Sequence, residues 1–317
     1  MKRIIVLMPV YNDWVAAGKL VNNITHMAGD TGLDPFFVLV NDGSHEEPPS
    51  GLVSRKDVEI VNLFRNVGHQ RAIAIGLSWV YECGKIHEGV VVMDADGEDK
   101  PESIPELVSM AGKNPGNIIF AGRHKRRESL LFRLNYYLYR MFFRLLTGNT
   151  ISFGNFCFIP VNRLGQVVVI PEIWNHYTGG VLRSRLPIKV IPLQRGDRIT
   201  GKSKMSFVGL VMHGLSAISV YIDVVAVRLL ITFIFLSLVA FAGLLIVIAI
   251  KYFTSLAIPG WATTASSGLI LILLMALLIS LFLSFIALNY RSQPAIVPLK
   301  HYRDFVVNPN SPVDENS

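Results

Sequence analysis

Short apolar runs at 3–8, 36–40, 58–62, 90–93 and 117–121 alternate with stretches at 14–27, 68–82 and 103–112 in which apolar residues recur at helical spacing. Strand and helix patterns that alternate in this way predict an α/β domain with a mostly parallel sheet. Three of the runs end in polar turns: Pro9-Val10-Tyr11-Asn12-Asp13, Asn41-Asp42-Gly43-Ser44 and Asp94-Ala95-Asp96-Gly97-Glu98-Asp99. In open α/β sheets the carboxyl ends of the strands form the usual ligand crevice, so these loops are the first place to look for chemistry.

The pattern changes completely after residue 228. Residues 229–250 form a run of 22 without a charge, and 268–288 a second of 21. Each covers roughly 32 Å as a helix, enough for a hydrocarbon core of about 30 Å. Together they read as a transmembrane hairpin. The connecting segment 251–267 holds one basic residue, whereas Lys202, Lys204 and Arg228 precede the first run and Arg291, Lys300 and Arg303 follow the second. Positive charge concentrated outside the connection predicts that both termini and the α/β domain are cytoplasmic, on an integral membrane protein.

The segment 130–146 is rich in Leu, Phe, Tyr and Met, and Arg126, Arg133, Arg140 and Arg144 line up within about 20° on a helix of 3.6 residues per turn. A basic stripe on so apolar a helix, beside two spans, predicts a helix lying on an anionic membrane surface; 207–221 is a second candidate. The expected organisation is an α/β half at 1–122 that carries the candidate ligand loops, and an interfacial helix with the rest of the α/β domain at 123–200. A phosphate-contacting loop and second interfacial helix at 201–224 come next. Spans at 225–250 and 268–290 flank an extracytoplasmic loop at 251–267, and 291–317 is a cytoplasmic tail, disordered beyond Val307.

Composition adds little. The formal charge of +7 suits anionic headgroups or anionic substrates without choosing between them and nucleic acid. Cys83 and Cys157 form no metal or disulfide pattern, and the short run after Lys2-Arg3 lacks a cleavage site, so it reads as a strand and not a signal peptide. Residues 196–203, Gly-Asp-Arg-Ile-Thr-Gly-Lys-Ser, match the phosphate-loop pattern, with a strand-like 188–193 before them. No parallel sheet follows to supply a metal carboxylate, so an ATPase reading fails. Arg198, Ser203 and Lys204 remain suitable donors for phosphate oxygens.

The acidic loop is the strongest chemical signal. Asp94, Asp96, Glu98 and Asp99 emerge from a run that reads as a buried strand, and oxygen ligands suit Mg²⁺ or Mn²⁺ held by one or two carboxylates plus substrate phosphates. Asp99-Lys100-Pro101-Glu102 is also a good helix start. Both readings hold together: Asp94 and Asp96 bind metal, and the next helix begins at Asp99 and Pro101.

Taken in order, Pro9–Asp13, Asn41–Ser44, Arg65-Asn66-Val67-Gly68-His69, Asp94-Ala95-Asp96 and Arg198-Ile199-Thr200-Gly201-Lys202-Ser203-Lys204 resemble the family 2 glycosyltransferases of the GT-A fold. With the hairpin, the chain is similar to the polyprenyl-phosphate glycosyltransferases, such as dolichyl-phosphate mannose synthase and the bacterial undecaprenyl-phosphate glucosyltransferases. The resemblance implies an inverting transfer of one sugar from a nucleotide diphosphate sugar, UDP-linked, to a polyprenyl phosphate, with no nucleic-acid partner and a homo-oligomeric assembly. It assigns Pro9, Tyr11, Asp13, Asp42 and Gly68 to the nucleotide, Asp94, Asp96 and Glu98 to the metal and diphosphate, and Arg198, Ser203 and Lys204 to the donor and lipid phosphates.

The chain departs from the family pattern at Asp13, Asn41, Gly97-Glu98 and Asn155, the last standing where many relatives carry Asp. A lipid monophosphate with a second pKa near 6 is largely anionic at neutral pH and needs no base to attack, so Asn155 is compatible with catalysis. His69, His176 and His213 read as ordinary surface or hydrogen-bonded residues, and 174–180 as part of the sugar and acceptor pocket. Two rivals stand beside this reading. A processive polysaccharide synthase is disfavoured because no Trp follows an Arg; a catalytically idle membrane scaffold has only the altered positions in its support.

Overall fold

A computed structural model describes residues 1–84, 87–123, 130–150, 153–194, 196, 198–199, 207–255 and 258–307. It divides into two compact units. One comprises Met1–Asn135, Ile151–Val220 and Ala295–Ser317, and the other Tyr136–Thr150 and Tyr221–Pro294.

The first unit is built on a seven-stranded sheet of order β3-β2-β1-β4-β6-β5-β7. Its strands are β1 Lys2–Val10, β2 Leu33–Asn41, β3 Val58–Asn62, β4 Gly89–Val92, β5 Ile118–Arg123, β6 Phe153–Pro160 and β7 Ile188–Leu193. β1 pairs in parallel with β2 and β4, β2 with β3, and β5 with β7; β6 alone runs against its neighbours β4 and β5. The expected strands are all present. β6 is an addition that sequence patterning did not find.

Helices α1 (Trp14–Thr31), α2 (Ser50–Val53), α3 (His69–Cys83) and α4 (Ile104–Lys113) complete the crossovers of the parallel part. The uninterrupted apolar run of β1 follows from burial on both faces. Ile5 and Leu7 pack with Ile73, Leu77 and the rest of the α3 face, while Ile4, Val6 and Met8 pack with Leu20 and Ile24 of α1 and Leu107 of α4. Two covered layers, each continuous across the sheet, hold the strand ends in register. Helices α5 (Leu130–Thr147), α6 (Val161–Val167) and α7 (Tyr177–Arg183) follow, then α8 (Phe207–Ser219), which coincides with the second expected interfacial helix.

The second unit holds α9 (Ile222–Phe253) and α10 (Trp261–Ser292). Both are long and apolar enough to cross a membrane. They pack side by side, with Gly243 facing Leu269, so they run antiparallel. Their large side chains point away from the pair, as Phe235, Leu238, Leu281 and Phe285 do. The outer end of α5 belongs to this unit, where Tyr137, Met141, Phe142 and Leu145 are exposed beside exposed Arg140 and Arg144. Arg228 donates to the Leu145 carbonyl at 2.8 Å, satisfying a backbone acceptor of the last turn of α5. Arg126, the side chain of Arg133, and the tail beyond Val307 lie outside the described residues.

After α10 the chain rejoins the first unit. Helix α11 (Pro298–His301) and the turn Tyr302–Phe305 form a strap over α3 and the β3 edge. The Leu299 amide donates to Val168 O at 3.1 Å, Phe64 N to Phe305 O at 3.0 Å and Val307 N to Asn62 O at 2.9 Å. Tyr302 donates to Glu82 at 2.7 Å, Arg303 pairs with the same carboxylate, and Phe305 lies 5.1 Å from the Trp174 ring.

Candidate active site

Parallel pairing of β1, β2 and β4 places the turns after these strands along one edge of the sheet. β6 runs the opposite way, so its first residues, Gly154 and Asn155, reach that same edge. The sheet order therefore brings the Tyr11, Asp42, Asp94 and Asn155 loops together.

Pro9 is buried in β1 opposite Val40, and Tyr11 is the first exposed residue beyond that strand. Asp13 opens α1, its carbonyl accepting from Ala17 N at 3.1 Å. Asp42 is buried and accepts from Val67 N at 2.7 Å and Gly68 N at 3.1 Å, so it clamps the 65–69 block to the end of β2. Burial pushes its carboxyl above the usual range, opposed by these two amides and by His69. Gly68, at φ 94°, gives the turn into α3 a backbone that side-chain-bearing residues rarely adopt.

The acidic loop is held from within. Asp94 N donates to Asp99 at 3.1 Å and Glu98 N to Asp96 at 2.9 Å, while Asp96 pairs with Arg198 at 3.1 Å. Backbone bonds from Gly196 to Glu98 O (2.8 Å) and from Ile199 to Asp96 O (2.9 Å) lay the 196–199 segment on this turn. Gly97 is left-handed at φ 85° and lies directly under Ile199, where a side chain would collide. Gly97, a departure from the family pattern, is thus what lets the two segments meet so closely.

Burial raises the Asp96 pKa, the like charges of Asp94 and Glu98 add to the rise, and Arg198 opposes it. A carboxylate strained in this way is favoured by a nearby cation. Among the described residues no three acidic, His or Cys side chains converge as a closed cage. The two carboxylates of Asp94 and Asp96 are oxygen donors of the kind that Mg²⁺ and Mn²⁺ take when substrate oxygens complete the shell. Arg198 Nε is buried without a hydrogen-bond partner among the described residues. Such a donor is normally satisfied, and a phosphate oxygen would satisfy it.

His69, which the sequence pattern left as an ordinary residue, sits at the centre of the edge. Its Nε2 lies 3.0 Å from Asp94 Oδ1 and 3.1 Å from the Asn155 amide, whose oxygen accepts from Thr178 at 3.1 Å. Burial lowers its pKa, but Asp94, Asp42 and Asp96 together raise it above the ordinary value. Its only signal in the sequence was membership of the 65–69 block. Gln194, at the end of β7, lines one pocket with Asp94, Glu98, Asp99 and Asn155. Ser203 and Lys204 lie outside the described residues. His176 accepts from Gly179 N at 3.0 Å and stacks 4.7 Å from His213, a packing contact of α7 with α8.

The profile of the family described as Glycosyl transferase family 2 matches residues 5–174, which span all of these loops except the Arg198 segment. The chain belongs to glycosyl transferase family 2. This transferase has the GT-A fold, with two apolar helices appended. It is 25% identical over 284 residues to the uncharacterized glycosyltransferase YkcC of Bacillus subtilis (strain 168), covering 85% of each chain. Among solved structures it is similar to mannosyl-3-phosphoglycerate synthase of Rubrobacter xylanophilus, with 15% identity and a TM-score of 0.49 over 69% of this chain and 72% of that one. Glucosyl-3-phosphoglycerate synthase of Mycobacterium tuberculosis, solved with Mn²⁺, UDP-glucose and phosphoglyceric acid, gives 15% identity and a TM-score of 0.49 over 72% and 79%.

Proposed function

We propose that this glycosyltransferase moves one sugar, with inversion, from a UDP-sugar to a polyprenyl phosphate at the cytoplasmic face of a membrane. The observation that carries the reading is the pairing of Asp96 with Arg198, whose buried Nε has no hydrogen-bond partner among the described residues: a carboxylate and a phosphate donor are set side by side. Asp94 and Asp96 would hold Mg²⁺ or Mn²⁺, which when bound supplies charge neutralisation for the departing diphosphate. Arg198 turns its guanidinium to the same diphosphate, with Ser203 and Lys204 assigned to the phosphates by resemblance. Asp42 fixes the turn that carries Gly68 and His69, keeping the nucleotide edge in one geometry.

Position 155 supports an anionic acceptor. Asn155 cannot take a proton, and its amide is engaged by Thr178 and His69. An acceptor that arrives as an anion suits this site: its phosphate oxygen forms the new bond to the anomeric carbon as the bond to the donor diphosphate breaks. Covalent order supports a membrane-bound acceptor, because the sheet unit contains both Val220 and Ala295, on either side of the two apolar helices. If the pair spans a bilayer, the chain enters and leaves it on one and the same side. Exposed Arg140 and Arg144 amid apolar side chains suit anionic headgroups.

The test is transfer by the full-length protein in detergent with undecaprenyl phosphate, Mg²⁺ or Mn²⁺ and a panel of labelled UDP- and GDP-sugars. A lipid-linked sugar from one donor is expected. Failure with every donor overturns the reading, and metal-dependent nucleotide binding by calorimetry without turnover would favour the idle scaffold.

A further inference from the structure

The tips of β1 and β2 are cross-braced far more heavily than two surface turns require. Asn12 adopts a left-handed backbone at φ 50°, and its side-chain oxygen accepts from His45 N at 2.8 Å and Glu46 N at 3.4 Å. Its own amide donates to Ser44 Oγ at 3.0 Å, Ser44 N donates to Asn41 at 3.0 Å, and the Trp14 indole donates to Glu46 O at 2.9 Å. A non-glycine residue held left-handed by several bonds points to a position the fold has to maintain. What these bonds maintain is the placement of two exposed rings, Tyr11 and His45, with centroids 6.5 Å apart and planes 60° from parallel.

A flat ring inserted between two others needs about 7 Å, two contact distances of roughly 3.5 Å. The observed rings meet edge to face, 6.5 Å apart and 60° from parallel, so opening a slot takes both a few tenths of an ångström and a turn of the His45 ring toward parallel, with its backbone still anchored. Tyr11 and His45 belong to the turns on either side of the Asp42 N to Val10 O bond (2.9 Å), on the edge assigned above to the nucleotide. We propose that His45 forms the second wall of the nucleobase slot, closing on the face of the base opposite Tyr11. This rests on the donor-binding reading above and deepens it, since no motif assigned His45 a role.

The test is calorimetric titration of the full-length protein with UDP, GDP and inorganic pyrophosphate, each with Mn²⁺, comparing wild type with His45→Ala and His45→Phe. Loss of a stacking wall should weaken the preferred nucleotide about five- to fiftyfold in His45→Ala. His45→Phe should restore it to within about threefold, and pyrophosphate affinity should not change in either variant. Unchanged nucleotide affinity in His45→Ala overturns the proposal, as does a Phe variant as weak as the Ala variant. A parallel loss of pyrophosphate affinity would also overturn it, because the residue would then be acting on the fold of the edge. If wild type binds pyrophosphate no more weakly than nucleotides, the slot is wrong although the metal site stands; if it binds neither, the functional reading itself fails.

Discussion

In the half of the sheet made by β3, β2, β1 and β4 every strand runs the same way, and the turns are tied across strands by Asn12, Asn41, Ser44 and Asp42. In the half made by β6, β5 and β7 one strand is reversed; Gly154, Asn155 and Gln194 line the pocket there without a charge, and the basic residue Arg123 ends β5. The first half concentrates carboxylates and fixed backbone donors. The second carries no carboxylate among these residues. Separating the two kinds of edge puts the acidic and the non-acidic surface on different strands.

The sharpest way to break this division is Asp96→Ala. Transfer should fall at least about a hundredfold, measured as labelled lipid product, with expression and circular dichroism unchanged. Activity near wild type would move the metal and diphosphate elsewhere. Next, Asp42→Ala strands the Val67 and Gly68 amides inside the sheet edge and should lower stability by about 1–3 kcal/mol, read from the urea midpoint. A change within error would mean the braces of the parallel half are redundant.

Asn155→Asp tests the side without a carboxylate. An added carboxylate beside Asp94 and the acceptor should slow transfer to lipid phosphate about three- to tenfold at neutral pH. A faster variant would reveal an acceptor that needs a base. The smallest effect lies away from the site, at the strap. Burial raises the Glu82 pKa, but hydrogen bonds from Tyr302 and Arg303 outweigh it and hold the carboxyl below its usual value. Its stabilising contribution is therefore complete above the unfolded pKa, about 4.3, and lost as pH falls through the lower folded one. The melting-temperature gap between wild type and Glu82→Gln should be constant from pH 7 to about 5.5 and close on further acidification.

The parallel half was legible because burial on both faces writes itself as apolar runs, and because its turns carry Asp, Asn and Gly in quick succession. β6 was not, since Phe153–Pro160 mixes Gly and Asn with aromatics and its partners, β4 and β5, are chosen by chain reversal and not by local pattern. His69 was hidden for a related reason. Its two polar neighbours, Asp94 and Asn155, are distant in sequence and meet it only once β6 is in place. The strap too was read as a tail, because its apolar contacts are spread singly over Leu299, Tyr302, Phe305 and Val306.

That strap imposes an order on biosynthesis. Because Phe305 and Val307 complete the hydrogen bonding of the β3 edge, the enzyme domain stays unfinished until both apolar helices have left the ribosome. A chain cut short within either helix would leave Asn62 O and Phe64 N at the tip of β3 without these partners and Trp174 without Phe305, features that invite aggregation. Maturation of the catalytic part is thereby made conditional on synthesis of the two apolar helices.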